Sequence, residues 1–254
     1  MLAAERRSII LEIVTERGSV AVNDLHRRLK VSQETVRRDI TKLASEGRLR
    51  KTHGGALALD HDEPVFDVRM SVNIDGKRAI GRIAAEMVTD DCSLLIDSGT
   101  TTLCLAECLA ERRRLTVFTN DIHIAQRLAG RNDNKVLLSG GELLASEGAL
   151  IGRDATAMLA NYYPDFAFVG ATALAAQPWL MDYTREAAEL RTQMLSQART
   201  TVLLADHTKF GRTAPVKING LENVDIIITD LALGDEMKQG LARLSAEVVV
   251  AAEA

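Results

Sequence analysis

Residues 31–43 read VSQETVRRDITKL, and their reading separates a merely solvated helix face from a nucleic-acid-reading helix. Val36, Ile40 and Leu43 recur at helical spacing and make one apolar stripe. On a helix of about 3.6 residues per turn, Arg38 falls nearly opposite that stripe, beside Glu34, Thr41 and Lys42. Arg37 lies on the flank near Gln33. The paired arginines therefore differ in direction, and both reach outward. Ser32 is a good N-cap and Gly47 a natural stop, so the helix is predicted from about Gln33 to Glu46.

Upstream, Leu2, Ile9, Ile10, Ile13 and Val14 predict a first helix ended by Gly18. Val22, Leu25 and Leu29 predict a short second helix. Its cap position falls on Ala21, a poor N-cap, so a frayed start is expected. Three short helices, the third exposing Gln, Thr and Arg along its first turns, have helix-turn-helix anatomy. Such a helix lays its N-terminal residues against base edges in the major groove. Arginine suits both guanine edges and phosphates. The following GRLRKTHGGALAL (47–59) alternates loosely around Gly54-Gly55 and predicts a β-hairpin wing. Arg48, Arg50, Lys51 and His53 are placed there for phosphates or the minor groove. The bland alternative is a basic helix that is only a solvated face.

The charge distribution agrees with a basic front module. Residues 1–55 carry twelve Lys and Arg against seven Asp and Glu, or +5. The rest carry nineteen against twenty-eight, or −9, within 254 residues of net charge −4. Such asymmetry points to a basic module joined to an acidic one. No run of about 18 apolar residues occurs, so no membrane span is expected. Glu5 and Glu12 interrupt the start, so no signal peptide is read and a cytoplasmic location is expected. Three cysteines, Cys92, Cys104 and Cys108, argue against a disulfide framework. They are read as small buried side chains, with no metal and no cofactor expected.

Residues 58–75, ALDHDEPVFDVRMSVNID, lack a clear period and carry an acidic cluster and Pro64. They are read as a linker between a first domain, 1–57, and a second, 76–254, with a docking segment around Val65–Met70. In the second, apolar runs alternate with helical stretches. The runs lie at 93–97, 115–119, 135–139, 165–170, 200–206, 224–230 and 246–252. The helical stretches follow Lys77 and lie near 101–110, 121–129, 186–198 and 233–244. This alternation predicts an α/β open, mostly parallel sheet covered on both faces. Ligands on such sheets bind at the carboxyl ends of strands, and polar residues gather there. DSGTT (97–101) offers Asp97, Ser98, Gly99, Thr100 and Thr101 at a strand-to-helix turn suited to a phosphate. Thr119 and Asn120 end the next strand, and Asn120 could cap the next helix or donate to a ligand. Gly140, Gly141 and Glu142 follow another. Lys209, in ADHTKFGR (205–212), could neutralise a phosphate. Trp179 is read as a core or loop anchor.

VSQETVRRDITKLASEGRLRKTHGGA resembles the signature of the DeoR family of bacterial transcriptional repressors. The resemblance places Ser32, Thr35, Arg37 and Arg38 on the DNA-facing helix. It continues through D-S-G-T-T, T-N, G-G-E with Gly148 behind it, Asp165-x-x-x-x-Gly170, and Asp206-x-x-Lys209-Phe210. It implies an N-terminal winged helix-turn-helix plus a sensor domain sharing the fold of ribose-5-phosphate isomerase and CoA transferases. The implied partners are double-stranded operator DNA, a small phosphorylated sugar or polyol, and further copies of the chain as a dimer or tetramer. LMDYTREAAELR followed by DHTKFGRTA is most similar to the glycerol-3-phosphate repressor branch. GATALAAQPWL (170–180) departs from the usual family text. The rival reading is a sugar-phosphate isomerase with a DNA-binding appendage, using Asp97, Glu142 or Asp206 as general base.

Overall fold

The computed structural model describes residues 2–17, 19–51, 54–57, 64–177 and 179–251. The chain divides into two compact units, Met1–Val72 and Asn73–Ala254.

In the first unit, α1 (Ala3–Arg17) leads through β1 (Ser19–Ala21) into α2 (Val22–Leu29) and α3 (Gln33–Ser45). Strands β2 (Arg50–Lys51) and β3 (Gly55–Leu57) form the wing, and α4 (Phe66–Ser71) closes the unit. The strands pair antiparallel in the order β1-β3-β2. Ile10, Ile13 and Val14 of α1 pack with Leu25 and Leu29 of α2 and the Val36–Ile40–Leu43 stripe of α3. Leu2 does not join them; it is 71% exposed, and Leu11 fills the α1 face instead. Nor does α2 begin as a loose end. Ala21 supplies no side-chain cap, but the Val22 N–H donates to the Gly54 carbonyl at 2.9 Å. The wing thus satisfies an amide that the missing cap would have left open. Ser32 caps α3 by accepting from the Thr35 N–H at 3.2 Å. At its other end the Arg48 N–H returns to the Leu43 carbonyl at 2.9 Å around Gly47, which sits at φ 67°.

Asp39 is buried on α3 and pairs with Arg6 of α1 at 2.5 Å. Removing the carboxylate strands a nearly buried guanidinium. Asp39→Ala should destabilise the first unit by about 3 kcal/mol, measured by denaturant unfolding. The segment expected to dock, 65–70, is largely α4, and its Val68 belongs to the first unit's core. Residues 58–63 of the expected linker lie outside the described residues.

The second unit opens with α5 (Ile74–Glu86). All seven apolar runs become strands of one parallel sheet. They are β4 (Ser93–Ile96), β5 (Thr116–Thr119), β6 (Lys135–Leu138), β9 (Phe166–Gly170), β12 (Thr200–Leu204), β14 (Ile226–Thr229) and β15 (Glu247–Val250). Their order is β15-β14-β12-β9-β4-β5-β6, so the winding reverses between β4 and β9. Helices α6 (Thr100–Cys108), α7 (Ile122–Leu128), α9 (Arg185–Met194) and α10 (Asp235–Leu241) fall near the expected stretches. Two apolar clusters cover the two faces, one with Leu95, Val169 and Leu203, the other with Leu94, Phe168 and Val202. Alternate residues of each strand thus enter opposite layers.

Three features were not foreseen. A hairpin of β7 (Glu142–Leu144) and β8 (Ala149–Ile151) leads into α8 (Arg153–Leu159). A small antiparallel sheet joins β10 (Ala173–Ala175), β11 (Trp179–Asp182) and β13 (Val216–Lys217). Trp179 is no core anchor: it is an exposed residue of β11, with the Lys217 ammonium 5.5 Å from its ring centroid. The cysteines are free, and burial pushes the Cys104 thiol up to about 11.

Candidate functional site

Two sets of side chains stand out, one in each unit. On α3 of the first, Arg37 and Arg38 are exposed and turned away from the apolar stripe. Arg37 lies 3.9 Å from Glu34, and among the described residues Arg38 has no ion pair. Lys51 of the wing donates to the Thr41 hydroxyl at 2.9 Å, which draws the wing onto the exposed face of α3. Arg37, Arg38, Thr41, Lys42 and Lys51 consequently line one shallow basic groove. Other expected contacts are engaged within the unit. Gln33 donates to Asn23 of α2 at 2.7 Å. Ser32 and Thr35 share the cap, their hydroxyls 2.9 Å apart. Lys42 and Arg48 both turn to Glu46, at 3.2 and 3.7 Å. Arg50 lies on β2, and His53 falls outside the described residues.

In the second unit the polar residues collect at the carboxyl ends of the strands, on both sides of the reversal between β4 and β9. Gly99 joins β4 to α6 at φ 139°, a backbone conformation that side chains disfavour. Gly99 supplies no side-chain cap to α6. Among the described residues no acceptor meets the N–H groups of Thr100, Thr101 or Thr102, so the helix end presents free donors. Asn120 is a brace for this loop. It accepts from the Ser98 N–H at 3.1 Å and donates to the Leu150 carbonyl at 3.2 Å. The cap of α7 is Asp121, which accepts from the His123 and Ile124 N–H groups at 2.7 and 3.1 Å. It also accepts from Gly99 at 3.3 Å. Burial pushes the Asp121 carboxyl upward, against the backbone N–H groups of Ile124, His123 and Gly99 that favour its charged form.

Asp97 and Thr119 lie beneath this surface, at 1% and 0% exposure. Asp97 accepts from the Gly170 N–H at 3.1 Å and from Arg191 Nε at 2.7 Å. Arg191 also bonds Asp182 of β11 through Nη1 and reaches the Thr172 hydroxyl at 3.3 Å. One guanidinium thus ties the loop after β4 to the small antiparallel sheet. Burial pushes the Asp97 carboxyl up, while the guanidinium opposes that shift. Gly141, at φ 113°, faces the Ile151 carbonyl so closely that any side chain would collide with it. The hairpin's own backbone therefore explains that glycine. Gly140 and Glu142 are exposed. Lys209 ends a short 3-10 turn, His207–Lys209, after β12, and is partly buried. Asp206, at its cap, is fully buried.

Sequence reading missed Arg191, Asp182, Asp121 and Asp230. Asp121 and Asp230 had a signal, since both follow apolar runs at carboxyl ends. Asp182 had none, because its partner lies on another element.

A basic helix-turn-helix with a wing thus stands in one unit, and a parallel sheet whose strand ends carry open donors in the other. The sequence comparisons supply the class. Residues 6–62 match the DeoR-like helix-turn-helix domain, and residues 72–231 match the DeoR C terminal sensor domain. The chain belongs to the DeoR family of transcriptional regulators. It is 32% identical to the uncharacterized HTH-type transcriptional regulator YgbI of Escherichia coli, over 99% of each chain. It is 29% identical to the glycerol-3-phosphate regulon repressor of Escherichia coli, covering 91% of this chain and 92% of that one. With the HTH-type transcriptional regulator GolR of Listeria innocua it shares 32%, over 91% of both. Among solved structures, it resembles ribose 5-phosphate isomerase A from Methanocaldococcus jannaschii with TM-score 0.39 and 18% identity, over 54% of this chain and 55% of that one. The probable sor operon regulator from Shigella flexneri gives TM-score 0.41 and 14% identity, over 66% and 88%. Among the described residues no helix is long and apolar enough to cross a membrane.

Proposed function

We propose that the protein represses a carbohydrate or polyol catabolic operon in the cytoplasm, and that a small phosphorylated sugar or polyol controls it. The first unit binds double-stranded operator DNA through α3, with Arg37 and Arg38 foremost and the wing beside them. A homodimer or tetramer presents these helices to half-sites about one helical turn apart. The second unit holds the effector's phosphate at the Ser98–Thr101 loop and the N-terminus of α6, with Lys209 approaching from the β12 side.

One observation carries the sensor reading. Asp206 Oδ2 and Thr229 Oγ1 are buried without a hydrogen-bond partner. They sit at the carboxyl ends of the neighbouring strands β12 and β14. Unpaired buried polar atoms are costly, and their gathering at one end of the sheet fits a site that a polar ligand completes. Binding rather than turnover is favoured by the state of the three candidate bases. Asp97 is held by Arg191, and Glu142 lies exposed on the hairpin. Asp206 keeps an open oxygen, but its neighbour Asp230 is already bonded to His207 and Asn73, so no acid–base pair is assembled. Isomerase assays on sugar phosphates are accordingly expected to show no turnover.

A thermal-shift screen of phosphorylated sugars and polyols tests the reading. A ligand at about a hundred times its Kd should stabilise the native protein by about 2.7 kcal/mol, and the same compound should alter retardation of promoter DNA. An effector can shift DNA affinity only as far as it prefers one conformation. No stabilisation by any phosphorylated compound would remove the sensor assignment.

A further inference from the structure

We infer that Asp206, with Asp230 beside it, reads the neutral hydroxyl end of the effector and turns away phosphorylated compounds whose far end is a second anion. This rests on the sensor reading above and specifies the chemistry of its ligand.

Asp206 follows β12 and Asp230 follows β14, and these strands are neighbours in the parallel sheet. The Asn73 side-chain nitrogen reaches Asp206 Oδ1 at 3.4 Å and Asp230 Oδ2 at 2.8 Å, so the two carboxylates stand side by side across one amide. Asp230 is fully occupied. Its Oδ1 accepts from the His207 N–H at 2.6 Å, and its Oδ2 faces His207 Nδ1 at 2.7 Å. Burial works against its charged form, but the His207 and Asn73 hydrogen bonds outweigh that and hold the carboxyl below the usual range. Asp206 is not occupied. Its Oδ1 takes the Thr208 N–H at 3.0 Å, while Oδ2 is buried with no partner, as is the neighbouring Thr229 hydroxyl.

A buried carboxylate oxygen without a donor calls for one. Of the nearby cations, His207 is committed to Asp230. A ligand hydroxyl is the donor that adds no charge. Geometry supports the same division of the ligand. The phosphate loop follows β4, and only β9 separates β4 from β12. Two strand spacings make about 10 Å, a span suited to a phosphate carried on a short polyol. β9 ends there in Gly170, which leaves the floor without a side chain. A site built for a hydroxyl rejects an analogue that cannot donate, and like charge facing Asp206 adds repulsion.

The test uses the full-length protein and calorimetric titration with inorganic phosphate, sn-glycerol-3-phosphate, ribose-5-phosphate and 3-phosphoglycerate. At least one hydroxyl-ended phosphate is expected to bind about tenfold or more tightly than 3-phosphoglycerate. Asp206→Asn should shrink that ratio several-fold while leaving inorganic phosphate unchanged. Equal or tighter binding of 3-phosphoglycerate by the wild-type protein overturns the inference without any variant. An Asp206→Asn effect as large on inorganic phosphate as on the polyol phosphate also overturns it. If none of the four compounds binds, inorganic phosphate included, the sensor reading fails along with it.

Discussion

Replacing Arg37 and Arg38 together by alanine is expected to abolish most specific operator binding. Each well-placed arginine contact to a base contributes about 1–3 kcal/mol. Loss of both therefore costs about 2–6 kcal/mol, from roughly thirtyfold to ten-thousandfold in Kd. Where a contact is to phosphate instead, the salt dependence of binding should flatten by about one ion per contact. Both side chains are exposed and lie outside the first unit's core. The thermal unfolding of the variant should consequently stay within about 0.5 kcal/mol of the parent. Gel retardation across a salt series measures the effect. Arg27→Ala with Arg28→Ala, an equally cationic pair on α2, is the matched control. If the α2 pair weakens binding more than the α3 pair, another face of the unit reads the DNA.

The parts of this molecule that showed in its sequence are those with short-range causes. A parallel strand buried on both faces must be largely apolar, so the inner strands show as short runs such as SLLI or IIIT. The edge strands β6 and β15 keep apolar runs although they are half-exposed. The α3 helix showed because cap, stripe and stop all fall within sixteen residues, Ser32 to Gly47. The β10-β11-β13 sheet did not show, because its strands are two to four residues long and β13 is separated from β11 by all of α9. Asn120 showed a polar side chain ending a strand, but not that its bonds would go to the Ser98 loop twenty-two residues away. Leu2 misled because an apolar residue at helical spacing carries no sign of whether the core extends that far. Arg191 did leave a trace. It stands with Ala188 and Leu195 at spacings of three and four, on the buried side of α9. A charge in an apolar stripe marks a buried ion pair, though not the identity of its partners.

That buried guanidinium carries the other large expected effect. Arg191→Met removes the only group bonded to both Asp97 and Asp182 among the described residues, and leaves two buried carboxylates without a counter-charge. Breaking a buried ion pair on one side costs about 3–5 kcal/mol. For a unit of this size that is roughly 10 °C in melting temperature. The deficit should depend on pH with a definite sign. Burial already raises the Asp97 carboxyl, and the Arg191 guanidinium is the main opposing influence. Without it the carboxyl rises further, so the folded variant takes up a proton that the unfolded chain, with an Asp pKa near 3.9, releases. Such a group favours the folded state most at low pH, and its contribution is lost as pH rises through the elevated value. The gap between wild type and variant should thus be narrow at acid pH and widen as pH rises through the elevated value. Arg191→Lys should fall between them, because an ammonium keeps the charge but cannot fork across two carboxylates. The Asp97 carboxyl also accepts from Gly170, so misplacing it disturbs the floor between the phosphate loop and β12. Effector affinity should fall in the folded variant as well. A melting deficit that stays constant from pH 4 to 8 would mean that Asp97 does not titrate in that window, and would locate the cost in lost packing around α9 instead.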